Sequence, residues 1–314
     1  MAINSTVNRQ IAILDAPSNL GLRPPTPGRE PGVAKLAAAL RAHGILARLG
    51  AVDAGRVPAP AYDPAADPAT RFRNGPALRA YAIQLAAQTG AVLEHGYFPL
   101  VLGGDCSILL GNMPALKRRG RYGLVFLDGH LDFAYHRTSP VLAAAGLDLA
   151  LVTGHGPDQL TNIGAGKPYV REEDVAILGY RDEEYPPEYD LQPFLDSRMR
   201  RYNLDQVRRL GVRAATERAL AAIIRNGIEG FWIHLDVDVL DPLIMPAVDS
   251  PEPPGGLTYP ELIELLGILL RSPYAAGMEI TVFDPELDPD GHLAEELTAA
   301  IVRALGKDTA PLSG

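Results

Sequence analysis

The stretch YGLVFLDGHLD (122–132) is an apolar run that ends abruptly in two carboxylates and an imidazole. The run is continuous rather than alternating, which is typical of a strand covered on both faces of a sheet. Asp128, His130 and Asp132 then follow with one residue between each. Because side chains two apart point the same way along an extended chain, these three can converge on one point. The stretch predicts a buried strand with a chemical site at its carboxyl end.

Similar apolar runs recur along the chain and alternate with stretches of helical pattern. The runs that predict further strands are 10–14, 98–104, 174–180, 231–236 and 276–283. The helical stretches are 33–43, 76–95, 204–226 and 259–271. This alternation predicts an α/β fold with a mostly parallel, doubly wound sheet. We expect one domain over 1–314, in which the Pro-rich segments 58–68, 185–193 and 246–254 are loops over one rim.

Composition narrows the classes of function. The chain has 314 residues, 47% of them apolar, which is enough to bury a large core. A net charge of −9 argues against binding to nucleic acid or an anionic membrane, since phosphates need clustered Lys and Arg. No apolar stretch approaches the roughly 20 residues of a membrane span, and we see no secretory-signal pattern. With Cys106 as the one cysteine, we expect no internal disulfide and a cytoplasmic location.

Acidic residues close four of the apolar runs. They are Asp105, Asp128, Asp182 and Asp236. In open parallel sheets, ligands bind outside the carboxyl ends of the strands, so we expect these acids at one rim. A second paired motif lies in HLDVDVLDP (234–242), where Asp236 and Asp238 again stand two apart.

Several carboxylates at one point repel each other unless a cation lies between them. Four Asp and one His form an oxygen-rich ligand set that suits Mn²⁺ and similar metals. A single Asp of this kind more commonly caps a helix or lies in a surface loop. The two paired motifs, D-x-H-x-D and D-x-D, both stand at strand ends and favour a metal site instead.

Several motifs, in order along the chain, resemble those of the arginase/agmatinase superfamily of binuclear manganese ureohydrolases. They are APSNLGLRPPTPGREPG (16–32), GGDCS (103–107), DGHLD (128–132), LDVDVLDP (235–242) and PGGLTYPE (254–261). The resemblance implies a three-layer α/β/α fold with a mostly parallel, roughly eight-stranded sheet. It also implies a small-molecule substrate, two Mn²⁺ ions and a homo-oligomer, as trimer or hexamer.

The same resemblance assigns metal ligands. Asp128 and Asp236 would bridge the two metals. The remaining ligands, two for each metal, would be His130 with Asp238 and Asp132 with Cys106. Two metals bridged in this way make hydroxide available near neutral pH, and that hydroxide would attack an sp² carbon bearing nitrogen.

Further roles carried over from the family concern catalysis and substrate. His155, in TGHGP, would protonate the leaving nitrogen, and Asp128 would be the second catalytic group. Asp182 and Glu184, in YRDEE, would bind the substrate.

Three positions depart from the family pattern. The histidine of the family's GGDHS is Cys106, which is either a small buried residue of a degenerate site or a thiolate ligand that favours Zn²⁺. We expect the metal at this site to be the weaker-bound of the two and partly absent, because the thiol must lose its proton among three carboxylates to bind. The glutamate that holds a guanidinium is replaced by Val282, and the asparagine that holds an amino-acid carboxylate by Ala134. Arginine is therefore not the expected substrate.

Two functions stay open at this point. The first is a metal-dependent hydrolase of a non-peptide C–N bond in a guanidino, hydroxyguanidino, formimidoyl or amide substrate. The second is a metal-poor arginase-like protein with a non-catalytic binding or assembly role. The number of metal ions bound per chain distinguishes the two.

The first prediction is that Asp236→Asn strips metal from the chain and abolishes turnover. A bridging carboxylate serves both ions, so neutralising it weakens both sites. Elemental analysis of the purified variant measures the effect. Full metal content in this variant would mean that the ligand assignment is wrong.

Overall fold

The computed structural model describes residues 9–182, 185–250 and 255–306, with a parallel sheet through the centre. Its eight strands are β1 (Ile11–Asp15), β2 (Val52–Arg56), β3 (Phe98–Leu102), β4 (Tyr122–Leu127), β5 (Val175–Leu178), β6 (Arg200–Tyr202), β7 (Gly230–Asp236) and β8 (Ala275–Thr281). Their order across the sheet is β2-β1-β3-β8-β7-β4-β5-β6. Every neighbouring pair is parallel, so all carboxyl ends lie at one edge.

Helices connect successive strands. They are α1 (Leu36–Ala42), α2 (Ile45–Leu49), α3 (Gly75–Glu94), α4 (Leu109–Lys117), α5 (Asp148–Val152), α6 (Asp158–Thr161), α7 (Gln192–Leu195), α8 (Leu204–Leu210), α9 (Val212–Ile224), α10 (Tyr259–Arg271) and α11 (His292–Ala304). Short 3₁₀ turns occupy Gly32–Lys35, Cys106–Ile108, Ala145–Leu147, Glu172–Asp174, Val237–Val239 and Pro285–Leu287. Tyr135–His136 pairs antiparallel with Tyr189–Asp190 in a small ribbon. Within the three described ranges, no helix is both long and apolar enough to cross a bilayer.

Two apolar clusters lie on opposite faces of the sheet and make three layers. One cluster joins α1, α2 and α8–α11 to the sheet, and the other joins α3–α7. Side chains along β7 alternate between them, since Ile233 and Leu235 belong to the first cluster and Trp232 to the second. A parallel sheet covered on both faces needs continuous apolar strands, which is the pattern seen in the sequence. The predicted three-layer α/β/α fold with an eight-stranded parallel sheet is confirmed.

Some local predictions were wrong. The six apolar runs missed β2 and β6, because these edge strands are polar in sequence and none of their residues is buried. The helix predicted over 204–226 is two helices, since Gly211 at φ +81° ends α8 before α9 begins. The segment 185–193 holds part of the antiparallel ribbon rather than loop alone. Residues 251–254 of the last Pro-rich segment lie outside the described ranges, and the single domain over 1–314 stays a prediction.

A tight turn after β3 places the next residues against the segments that follow β1 and β8. A Cβ added at Gly104 would lie 1.7 Å from the carbonyl oxygen of Ser18. The backbone N–H of Asp105 donates to that same oxygen at 3.1 Å, and the N–H of Val282 donates to the carbonyl of Gly104 at 2.7 Å. Only glycine fits where backbones approach so closely. This turn sets the position of Cys106, two residues later.

We predict that Gly104→Ala lowers the free energy of unfolding by about 1–3 kcal/mol or more, because the added methyl group forces backbone apart. Gly90→Ala is the control. Gly90 lies inside α3 with open space around an added Cβ, so alanine there should stabilise the helix by about 0.5–1 kcal/mol. Urea denaturation of both variants measures the difference. Equal stability of Gly104→Ala and wild type would contradict this description of the turn.

Candidate metal centre

Residues that follow β3, β4 and β7 meet at the carboxyl edge of the sheet. The side chains of Asp128, His130 and Asp238 bring one ligand atom each to within 4.8 Å of one another. A second group, within the same limit, is Cys106, Asp128, His234 and Asp236. A third joins Cys106, Asp132 and Asp148. The structure thus brings together all six ligands expected from the sequence and adds two that were not expected.

The first group is held in place by hydrogen bonds. His130 Nδ1 lies 2.8 Å from Asp238 Oδ2, and the N–H of Gly129 donates to Asp238 Oδ1 at 2.9 Å. Burial works to raise the pKa of Asp238, but His130 and Gly129 outweigh it and bring that pKa to about 2. Burial likewise opposes charge on His130, yet Asp238 and Asp128 raise its pKa. In the metal-free chain, a proton on His130 therefore supplies the positive charge that a bound cation would otherwise supply.

Cys106 lies beside one of the expected bridging carboxylates. Its Sγ is 2.7 Å from Asp236 Oδ2 and 3.2 Å from Thr281 Oγ1. Burial, followed by the charge of Asp236, raises the pKa of the Cys106 thiol well above its ordinary value. The group is therefore a thiol that donates to Asp236 in the metal-free chain, and metal binding through sulfur would require loss of that proton.

The chemistry of this donor set fits a divalent cation. Asp128 Oδ2, Asp148 Oδ2 and His234 Nε2 are buried, and none has a hydrogen-bond partner among the described residues. Burial, reinforced by neighbouring carboxylates, raises the pKa of three acids well above ordinary values: Asp132, Asp148 and Asp236. Buried polar atoms without partners are rare, and a cation satisfies them and removes the repulsion together.

A cavity of about 600 Å³ opens above these ligands. Arg23, His136, Asp182, Tyr185, Asp249 and Val282 line it, together with the metal-ligand candidates. Asp182 accepts from Tyr185 and from the N–H of Leu131, and burial raises its pKa to about 6. The predicted substrate contact at Asp182 is thus compatible with its position, whereas Glu184 lies outside the described residues.

The structure does not bring His155 to this cavity. His155 Nε2 lies 2.9 Å from Glu172 Oε1, and its ring packs against Phe133 at 5.0 Å between centroids. His155 follows α5 in the chain. The first residue of α5, Asp148, is the one that lies next to the metal-ligand candidates. The role expected for His155, protonation of the leaving group, has no support in its position. The expectation relied on a short motif whose place in the fold the sequence did not reveal.

Sequence reasoning missed His234, Asp148 and His136. His234 carried a usable signal, because it stands two residues before Asp236 and so shares its side of β7. Asp148 carried no such signal in the sequence, because only the path of the chain into α5 places it near Asp128. His136 is presented to the cavity by the antiparallel ribbon, a tertiary feature.

Comparisons with known proteins agree with this architecture. The model of the arginase family matches residues 9–306. An arginase of Staphylococcus aureus strain COL is 27% identical over 310 residues, 96% of this chain and 99% of that protein. An arginase of Brevibacillus brevis is 33% identical over 223 residues, 71% of this chain and 72% of that protein. The native structure of the Bacillus caldovelox arginase at pH 5.6 has a TM-score of 0.85 at 29% identity, covering 96% and 100% of the two chains.

Fold, site and relatives together define the class: metal-dependent hydrolases of non-peptide C–N bonds, of the ureohydrolase type. Within that class, the chain belongs to the arginase family.

We predict that the metal-free chain loses stability as pH rises from about 4 to 8. Acids with raised pKa bind more protons in the folded state than in the unfolded state, above the ordinary Asp pKa of about 4. The pKa of Asp182, about 6, makes the folded state lose stability in the first part of this window. The raised pKa values of the buried metal-site acids and of His130 lower the stability further at higher pH. The lowered pKa of Asp238, about 2, has the opposite effect on stability, but only at pH values below this window.

Thermal unfolding at pH 5 and pH 8, with chelator or with saturating Mn²⁺, tests this dependence. The Tm in chelator should be lower at pH 8, whereas Mn²⁺ should reverse the order because it binds deprotonated ligands. Asp182→Asn should flatten the metal-free curve between about pH 4 and 6. A Tm in chelator that rises with pH would contradict the raised pKa values.

Proposed function

We propose that this enzyme hydrolyses a C–N bond in a neutral or weakly basic substrate, such as a hydroxyguanidine, formimidoyl compound or amide. The observation that carries the proposal is Val282. It lines the cavity at the position where the family resemblance places the glutamate that holds a guanidinium. A permanent cation buried there without a carboxylate partner loses several kcal/mol.

We infer two metal positions. The resemblance implies Mn²⁺, the oxygen-rich ligands support it, and Zn²⁺ is the alternative at the position next to Cys106. When bound, two such ions supply a water whose pKa is low enough to ionise near neutral pH. Asp128 and Asp236 would hold both ions, His130 and Asp238 would complete one position, and Asp132 would lie at the other. Because these candidate ligands lie close together, we favour the enzyme over the metal-poor alternative.

His136 is the candidate for protonating the leaving nitrogen. Its Nδ1 accepts the backbone N–H of Ser139 at 2.9 Å, so the neutral ring carries its proton on Nε2. The ring lines the cavity and packs edge-on against Tyr189 at 4.9 Å. Asp182, with a pKa of about 6, and Glu184 are proposed to bind the polar end of the substrate.

Two further properties follow from family resemblance and composition. A trimer or hexamer of identical chains is the assembly that the resemblance implies. A cytoplasmic location is supported by the lone cysteine, Cys106.

We predict that arginine and agmatine are poor substrates of the wild type and that Val282→Glu improves both. The introduced carboxylate gives the guanidinium its partner, so kcat/KM should rise at least about tenfold, the equivalent of about 1.4 kcal/mol. Val282→Gln is the matched control. Val282 has a φ of +76°, and the strain of that backbone applies to Glu and Gln alike.

Steady-state kinetics with arginine, agmatine and N-hydroxyarginine, at full Mn²⁺ loading, measures the change. A wild-type kcat/KM for arginine above about 10⁴ M⁻¹s⁻¹ would refute the proposal and point to Asp249 or Asp182 as the cation partner. Equal effects of Glu and Gln would show that charge at this position does not select the substrate.

A further inference from the structure

A completely buried histidine, His234, lies next to the expected ligands and is not accounted for by the proposed function. His234 has 0% of its surface exposed and stacks on Phe126 at 4.5 Å between centroids, with 11° between the planes. Its position on β7, two residues before Asp236, puts its side chain on the side of the sheet covered by α4 and α5. The ring is therefore held rigidly at the base of the metal centre.

A chain of hydrogen bonds determines which ring nitrogen carries the proton. His234 Nδ1 lies 2.6 Å from Glu279 Oε1, while Glu279 Oε2 accepts from the side-chain amide of Asn112. The carbonyl oxygen of that amide accepts from Thr89 Oγ1 at 2.7 Å. Each carboxylate oxygen of Glu279 is thus an acceptor, so Nδ1 is the donor and Nε2 carries the lone pair of a neutral ring.

The lone pair at Nε2 faces two carboxylates. Asp128 Oδ2 and Asp148 Oδ2 each lie 3.9 Å from His234 Nε2. These separations are too long for hydrogen bonds, and none of the three atoms has a partner among the described residues. Two ligands bonded at about 2.0–2.2 Å to one metal lie about 3–4 Å apart, which is the separation seen here. His234 Nε2 thus faces an acceptor on each of two carboxylates without a donor between them, and a cation beside it would satisfy Nε2 together with Asp128.

We propose that His234 is a metal ligand, and that one of the two metals is bound deeper than the family pattern implies, between His234, Asp128 and Asp236, with Asp148 beside it. Cys106 and Asp236 border the same position, with ligand atoms within 4.8 Å of His234. His234 supplies the imidazole that the chain lacks at residue 106. Glu279 stands behind it, as carboxylates commonly stand behind metal-binding histidines, and fixes the ring and its tautomer. The ion is a divalent metal that accepts nitrogen and oxygen together, such as Mn²⁺ or Zn²⁺.

This inference rests on the two-metal centre of the proposed function, and the experiment separates the two. Each variant is loaded with Mn²⁺, freed of excess metal and analysed for metal per chain and by electron paramagnetic resonance. Wild type should hold two spin-coupled ions, and His234→Asn one uncoupled ion. Asp238→Asn alters the other proposed metal position, the one that His130 and Asp238 would complete. His292→Asn is the control, because His292 is an exposed side chain in a separate group with Asp288 and Asp290, and the change should alter neither readout.

Two further variants guard against misfolding. Glu279→Gln keeps the shape behind His234 and should weaken the deeper position 10–100-fold in a Mn²⁺ titration by calorimetry. The double variant Cys106→His with His234→Asn moves the imidazole to residue 106 and should restore the second ion.

Two coupled ions in folded His234→Asn, or an unchanged titration in Glu279→Gln, would overturn the proposal of a deeper metal. Absence of bound metal from wild type would instead overturn the proposed function, on which this inference rests.

Discussion

Repulsion among carboxylates buried at one edge of the sheet is the constraint on which the rest of this molecule depends. β4 and β7 are neighbours, so Asp128 at the end of one meets Asp236 and Asp238 at the end of the other. Backbone N–H groups satisfy one oxygen of each acid, as the N–H of Asp238 does for Asp236 and that of His130 for Asp128. The remaining oxygens face inward, where only protons or cations can relieve their repulsion. This arrangement of carboxylate oxygens favours the binding of a metal cation.

In the proposed centre, the imidazole next to this cluster comes from His234 instead of residue 106. Cys106 places a thiol where the resemblance expects a histidine, and a thiol is a poor ligand until it loses its proton. His234 faces the same carboxylates from the neighbouring strand, supported by Glu279 and Asn112. Such a buried network is stable only when all its members find partners. In the proposed centre, a metal would be the partner that completes it.

The substrate specificity that we propose depends on Val282, which lines the cavity next to the candidate ligands. Val282 adopts a φ of +76°, which is rare for a β-branched residue and costs of order 1–3 kcal/mol. The hydrogen bond from its N–H to the carbonyl of Gly104 helps to hold this backbone in place. The strained position therefore places an apolar side chain at the wall of the cavity, so the substrate that we propose can differ from arginine without any change in the fold.

The sequence was sufficient for features that depend on neighbours along the chain. Continuous apolar runs identified the six inner strands, and the spacing of two in DGHLD and LDVDV pointed to side chains that meet at their ends as ligand candidates, because an extended chain repeats every second residue. The edge strands β2 and β6 were not identified, since strands in contact with solvent need no apolar pattern. Features that depend on distant segments required the tertiary structure. Asp148 reaches Asp128 from another loop, His155 is carried away from the cavity, and His234 becomes a ligand candidate only because Glu279 lies behind it and Asp148 in front. The path of the chain decides such contacts, and no local pattern of residues records it.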